Sequence, residues 1–208
     1  MNYLFIAIVS YLIGSFPTAF ILLKYFRGLD IRTEGTGNVG GHNAFEVSHS
    51  KIIGTSVGVI DLLKGLISVY IAKQFDAEKF LLIGLALFFA VLGHCFSIWI
   101  KFRGGRGLAT AFGGTMLFLP YTGLIWGVLW VIVYLKFKDI HIGNIWATIF
   151  TFVIIALSNE ILIEYSYPPP NQRWELFLIS LLVLGTIFLR HIEPMMDMLR
   201  KRVKQNKG

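Results

Sequence analysis

Seven apolar stretches, at residues 3–23, 52–72, 80–100, 108–119, 121–135, 142–157 and 174–189, take up most of this chain. A backbone that crosses hydrocarbon must satisfy its own hydrogen bonds, so such stretches are expected to fold as membrane-spanning helices. A crossing needs about 20 residues. With 208 residues in all, seven crossings and their loops leave no room for a separate soluble domain. The charged fraction is 15%, well below the ~25% of soluble domains, and the mean hydropathy is +0.68. The expectation is an all-α membrane protein of seven transmembrane helices, one domain over residues 1–208. The first stretch has no basic region before it and no small-residue cleavage pattern after it, so it reads as a retained helix and not a signal peptide.

Against this background the polar segments carry the information. In Gly93-His94-Cys95-Phe96-Ser97-Ile98-Trp99-Ile100-Lys101-Phe102-Arg103-Gly104-Gly105-Arg106-Gly107-Leu108-Ala109-Thr110 an apolar helix runs into a basic, glycine-rich loop and a new helix begins. The glycines permit positive φ and can turn several N–H groups toward one point, while Arg103 and Arg106 add fixed charge. A helix opening at Gly107, with Thr110 in its first turn, would aim unpaired N–H groups at the same anion. One reading is an anion cradle; the other is a helix-to-helix turn whose arginines mark a membrane edge. The spacing is not the GxxxxGK[ST] of a nucleotide-hydrolase loop, and no strand pattern precedes Gly104.

A second polar loop, residues 24–51, is centred on Arg32-Thr33-Glu34-Gly35-Thr36-Gly37-Asn38-Val39-Gly40-Gly41-His42-Asn43. It reads either as solvated slack or as a second backbone-lined pocket. Gly14-Ser15-Phe16-Pro17 interrupts the first span, where proline removes a backbone donor. Asp61 and Lys64, spaced i,i+3, share one face of the second span, and charges at membrane depth are expected to pair. Pro168-Pro169-Pro170 makes residues 159–173 a stiff extended loop. The last span is expected to end at Arg190-His191-Ile192-Glu193-Pro194, followed by a basic tail through Lys207. The single cysteine, Cys95, excludes an internal disulfide and a cysteine-based metal site, and nothing near His94 completes a metal set. No metal and no cofactor is expected.

The net charge of +7 does not point to nucleic acid in a chain of this kind; basic residues beside spans report topology and anionic lipid. Seven crossings place fifteen of the nineteen Lys and Arg residues on one side, three (Lys73, Lys79 and Arg173) on the other, and Lys64 inside a span. The basic side is the cytoplasm, the N-terminus is outside and the C-terminus is cytoplasmic. Both glycine loops, the turn at Lys136-Phe137-Lys138-Asp139-Ile140-His141 and the segment from Arg190 to Glu193 then share the cytoplasmic face, as one site for a phosphorylated substrate would require.

At these residues the sequence resembles the bacterial acyl-phosphate:glycerol-3-phosphate acyltransferase family (PlsY). The resemblance is carried by Tyr11-Leu12-Ile13-Gly14-Ser15 with Pro17, Gly35-Thr36-Gly37-Asn38-Val39-Gly40 with Asn43, Asp61-Leu62-Leu63-Lys64-Gly65, residues 93–110, and Arg190-His191 with Glu193. It implies transfer of a fatty acyl group from acyl phosphate to the 1-hydroxyl of glycerol 3-phosphate, giving lysophosphatidate and phosphate, in the inner membrane of the cell. It implies Thr36, Asn38, Arg106 and His191 as catalytic residues. The implied binding residues are Gly37, Gly40, Asn43, His94, Arg103, Gly104, Gly105, Gly107, Thr110, Lys138, His141 and Glu193. The partners implied are the two substrates, membrane lipid and an upstream enzyme that makes acyl phosphate. Because an acyl phosphate is a mixed anhydride with a good leaving group, positioning and charge stabilisation suffice for catalysis, and no serine-histidine-acid set is needed.

The sequence departs from the family pattern at several acceptor-site positions. Thr36 stands for serine and Arg106 for lysine, Glu46 for a basic residue, His141 for serine, and Pro194 for the asparagine after His191 and Glu193. A negative Glu46 would repel a dianion unless it is turned away or paired. A diverged paralogue that binds acyl phosphate or lipid and uses another acceptor, or has no turnover, is the alternative reading. For the topology, single cysteines at Ser50 and Asn171 in a Cys95-free background should label from opposite sides of the membrane; labelling of both from one side would overturn the seven-span arrangement.

Overall fold

The computed structural model describes residues 2–205, and every regular element among them is helical. In order these are α1 (Asn2–Ser15), α2 (Thr18–Arg27), α3 (Gly41–Ser48), α4 (Lys51–Phe75), α5 (Phe80–Cys95), α6 (Leu108–Thr115), α7 (Pro120–Phe137), α8 (Ile140–Leu157), α9 (Asn159–Leu162) and α10 (Arg173–Gln205). Six stretches are long and apolar enough to cross a membrane: Asn2–Arg27, Lys51–Phe75, Phe80–Ile100, Pro120–Phe137, Ile140–Leu157 and Arg173–Asp197. The chain is thus built as a multi-pass membrane protein. Helix α6 has eight residues, too few for a crossing on its own. Helical-turn bonds carry the chain on from it, the Leu119 N–H donating to the Thr115 carbonyl at 2.8 Å. From the level of Cys95, beside Gly107, to that of Phe80, whose ring lies 5.7 Å from that of Phe118, this segment runs alongside α5.

The helices approach closely where glycines face backbone. A Cβ at Gly14 or Gly93 would run into the carbonyl of Ala90 or Tyr11, so α1 and α5 touch main chain to main chain, and Gly65 and Gly113 do the same for α4 and α6. Lipid offers no hydrophobic drive between helices, so such packing, together with polar side-chain bonds, holds them together. Those bonds concentrate at the break between α1 and α2. Pro17 has no N–H to donate, and the freed carbonyls find other partners. Ser97 Oγ donates to the Ser15 carbonyl, and Lys64 Nζ donates to the Phe16 carbonyl at 2.6 Å. Lys64 also pairs with Asp61 at 2.7 Å, and both side chains are buried.

Three local expectations are corrected. The loop expected over 24–51 contains α3, which packs on α4 through Gly41 and Gly54; eight residues opening on glycine and histidine carry too little periodicity to announce a helix. Residues 159–173 are not extended throughout, because α9 and a 3-10 turn, Ile163–Tyr165, precede the prolines. The last helix does not stop near Leu189; α10 continues through Pro194, which costs it one backbone bond, to Gln205. Lys207 of the basic tail lies outside the described residues, as do the side chains of Lys201, Arg202 and Lys204.

Replacing Lys64 with Met would strand the Asp61 carboxylate in the bundle. The expected cost is about 3–5 kcal/mol, read as a fall in the unfolding midpoint of the detergent-solubilised protein, with partial recovery in the Asp61→Asn/Lys64→Met double variant. An unchanged midpoint for Lys64→Met alone would show that the pair does not tie the helices.

Candidate active site

Four polar segments meet at one end of the bundle around a cleft of about 890 Å³. The loop after α2 contributes Gly35, Thr36, Gly37 and Asn38, and the loop between α5 and α6 contributes Phe102, Arg103, Gly104 and Arg106. The first turn of α8 supplies His141, and α10 supplies Arg190, Glu193, Pro194 and Asp197.

The first loop is folded around one side chain. Asn43 is buried; its amide nitrogen lies 3.1 and 3.0 Å from the carbonyls of Glu34 and Asn38, and its Oδ1 accepts the Thr36 N–H at 2.9 Å. Gly35 and Gly37 take positive φ (56° and 69°), which lets the turn close over Asn43 and presents Thr36 and Asn38 to the cleft. Upstream, Arg32 grips Asp30 bidentately, Nε and Nη2 donating to the two carboxylate oxygens at 2.9 and 2.6 Å, and that contact holds the Asp30 carboxyl down at about 2.

The second loop is not the backbone cradle that its glycines suggest. Positive φ occurs at Lys101, Phe102 and Gly107, and not at Gly104 or Gly105. The Gly104 and Gly105 N–H groups point inward and donate to the carbonyls of Cys95 and His94, at 3.2 and 3.0 Å. Their own carbonyls accept from Arg190. Positive charge in the cleft therefore comes from the side chains of Arg103, Arg106 and Arg190. Burial, then repulsion from the Arg190 guanidinium, lowers the pKa of Arg106, and Glu193 works against both.

Two histidines complete the site. His141 is set by the N-cap of α8, where Asp139 accepts the N–H groups of His141 and Ile142, and its Nδ1 is buried without a hydrogen-bond partner among the described residues. His191 is 1% exposed, with Nδ1 2.8 Å from the Ile187 carbonyl. A carbonyl only accepts, so Nδ1 carries the proton of the neutral ring, and Nε2, also buried and unpartnered, keeps a lone pair. His191 lies within electrostatic reach of Arg106, Arg190 and His141.

Of the residues singled out from the sequence, Thr36, Gly37, Asn38, Arg103, Gly104, Arg106, His141 and Glu193 line this cleft. His191 stands behind its wall. Asn43, His94 and Thr110 are buried beneath it: His94 Nδ1 is 3.6 Å from Asp61 Oδ1, and the Thr110 hydroxyl donates to the Asp61 carbonyl at 2.9 Å. Gly40 packs beside the Asn38 amide, Gly105 against the His94 ring, and Gly107 against Cys95 and Val91. Lys138 points away, its Nζ 5.9 Å from the centre of the Tyr134 ring. Glu46 is exposed and pairs with His42 at 3.3 Å, off the cleft lining. Gly35, Phe102 and Asp197 are additions, and Arg190, expected on this face only as part of the 190–193 segment, lines the cleft itself. For Asp197 the i, i+3, i+4, i+7 spacing of residues 190, 193, 194 and 197 was the available signal, hidden because the span was expected to end before it.

A family model described as glycerol-3-phosphate acyltransferase matches residues 4–201. Over 207 residues the chain is 34% identical to the glycerol-3-phosphate acyltransferase of Ehrlichia canis (strain Jake), covering 99% of this chain and 98% of the relative. The protein of that name from Thermosipho melanesiensis is 36% identical over 156 residues, 73% of this chain and 76% of its own. Among solved structures, the glycerol 3-phosphate form of PlsY (YgiH), an integral membrane glycerol 3-phosphate acyltransferase, superimposes with a TM-score of 0.80. It is 27% identical, with 97% of this chain and 94% of that one covered. Its lysophosphatidic acid form gives 0.78 at 26% identity, with the same coverage.

A Cβ at Gly105 would collide with the His94 ring and approach the Val39 carbonyl to 2.9 Å. Gly105→Ala should therefore lower the unfolding midpoint and turnover together, through displacement of the loop. Lost ligand affinity at an unchanged midpoint would instead place that Cβ at the anion.

Proposed function

The chain belongs to the glycerol-3-phosphate acyltransferase family, and on that premise we propose that this cleft carries acyl transfer from acyl phosphate to the 1-hydroxyl of glycerol 3-phosphate. The protein is an acyltransferase of phospholipid synthesis that acts on glycerol 3-phosphate. The observation that most supports acyl phosphate as donor is the convergence of Arg103, Arg106 and Arg190 in one cleft at the end of a membrane bundle. Two phosphorylated substrates, one with its acyl chain in the bilayer, need cationic, directional donors there, and guanidinium forks match phosphate oxygens.

In the proposed reaction the acceptor hydroxyl oxygen attacks the acyl carbonyl carbon, the bond from that carbon to the phosphate oxygen breaks, and the hydroxyl proton ends on the released phosphate. Arg106, partly buried, stabilises the charge that grows on the departing phosphate. His191, buried behind the wall with Nε2 out of the acceptor's direct reach, acts on the site through the neighbouring Arg106 and His141. Thr36 and Asn38 orient phosphate oxygens from the opposite wall, Gly37 shapes the turn that presents them, Gly104 packs its loop against the end of α5, and Arg103, His141 and Glu193 border the acceptor. Asn43, Gly40, His94, Gly105, Gly107 and Thr110 shape the loops from below. An enzyme that makes acyl phosphate is the upstream partner in this scheme, and the inner membrane is the location.

Seven crossings, with the N-terminus outside and the C-terminus cytoplasmic, fit the same reading. The segment 108–119 follows α5 from the Cys95 end toward Phe80, and Lys73 Nζ donates to the Leu117 carbonyl at 3.1 Å and to the Tyr167 carbonyl at 3.2 Å. That contact lies at the opposite end of the bundle from the cleft, so the short helix and its turn act as the seventh crossing.

Lysophosphatidate formation from acyl phosphate and glycerol 3-phosphate by the purified protein, inhibited by inorganic phosphate, is the test. Arg106→Ala should lose about a hundredfold or more and His191→Ala somewhat less. Glu46→Arg should change the Michaelis constant for glycerol 3-phosphate by less than about threefold, since Glu46 faces solvent and pairs off the cleft. No product from acyl phosphate, with product from another acyl donor, would overturn the donor assignment.

A further inference from the structure

Arg190 lines the cleft, yet two of its guanidinium nitrogens face main chain. Nε donates to the Gly105 carbonyl and Nη2 to the Gly104 carbonyl, each at 3.1 Å, and the guanidinium carbon lies 5.4 Å from the centre of the Phe96 ring. Because a peptide is planar and trans, the Gly105 N–H and the Gly104 carbonyl point in opposite directions. The N–H is fixed inward on the His94 carbonyl, so the Gly104 oxygen is turned outward. The same argument sends the Arg106 N–H away from Arg190. Without Arg190, an anion in the cleft would face two carbonyl oxygens, the negative ends of their dipoles. With it, both oxygens are covered and the wall presents a cation.

We propose that Arg190 is a positioning residue for acyl transfer: it fixes the Gly104-Gly105-Arg106 backbone by a two-point grip and turns a carbonyl-lined wall into one that accepts phosphate. The inference rests on the reading of the cleft as a phosphate site. It also explains why the loop needs no free glycine N–H groups. The grip requires a fork, because a lysine ammonium is a point donor that cannot hold both carbonyls in this geometry.

The test compares natural protein with Arg190→Lys and Arg190→Ala in two readouts: the inorganic phosphate concentration that half-saturates thermal stabilisation, and the Michaelis constant for acyl phosphate. Arg190→Lys should raise both by about tenfold, the loss expected for a charged hydrogen bond, while moving the phosphate-free unfolding midpoint far less than Gly105→Ala does. Activity of Arg190→Ala should be partly restored by methylguanidinium and not by methylammonium. If the alanine variant does not fold, the lysine variant decides. Wild-type phosphate affinity in Arg190→Lys, or a fall in midpoint alone, would overturn the proposal, as would absence of phosphate stabilisation in the natural protein. A tenfold loss of phosphate affinity in a protein that uses a donor other than acyl phosphate would leave this proposal standing and sink the donor assignment.

Discussion

A carboxylate and an ammonium 2.7 Å apart inside the bundle, Asp61 and Lys64, join the elements on which the cleft stands. Lys64 reaches the Phe16 carbonyl at the α1–α2 break, which also accepts the Thr18 N–H. The Asp61 carboxylate approaches His94 at the end of α5, and its backbone carbonyl receives the Thr110 hydroxyl from α6. Four elements are thus tied by one pair. Burying two charges is costly, and mutual attraction offsets that cost best when neighbours add further partners, as the Phe16 carbonyl does for Lys64.

Above this anchor the polarity of the site is made almost entirely by side chains. The loop directs the Gly104 and Gly105 N–H groups inward, into the carbonyls of Cys95 and His94, and so takes those two away from any nest of donors. Its glycines serve proximity: Gly104 and Gly105 lie against the end of α5 more tightly than any Cβ would permit. Charge arrives instead on Arg103 and Arg106 from the loop and on Arg190 from α10. Glu193 and Asp197, farther out along α10, set carboxylates at the mouth of the cleft, where Asp197 also meets Arg200 at 3.6 Å.

Much of this was legible in the sequence because the bilayer restricts the backbone so strongly. Apolar runs gave the helices, Pro17 gave the break, and the i,i+3 spacing of Asp61 and Lys64 gave a pair that the structure contains. Thr36, Asn38, Arg103 and Arg106 were legible as cleft residues because polar groups between spans have few places to go. What composition could not supply was direction. The fate of a glycine N–H depends on which carbonyl lies opposite, and His94 is opposite Gly105 only because α5 ends where it does. Asn43 looks like a ligand group in a loop of glycines and amides, but burial makes it the loop's internal scaffold. Arg190 was expected on this face without a contact of its own, and Asp197 was missed because the span was expected to end before it, whereas α10 continues through Pro194.

The same distinction governs the positions at which this chain leaves its family's pattern. Glu46 sits on α3 with its carboxylate directed along that helix to His42, so the reversed charge is held off the lining and need not be opposed within it. Pro194 does line the cleft, and having no N–H it leaves the Arg190 carbonyl without its helical donor at the residue whose side chain grips the glycine loop. His141 takes its place through the Asp139 cap, which fixes the backbone of the first turn of α8 and leaves the imidazole on the cleft wall. One departure is held off the lining, although within electrostatic reach of His141, and two lie on the cleft itself, Pro194 on the helix that carries Arg190 and His141 within electrostatic reach of Arg106. How the Arg190 and Arg106 guanidinium groups are held is a property of the loop–helix contact and not of any single residue.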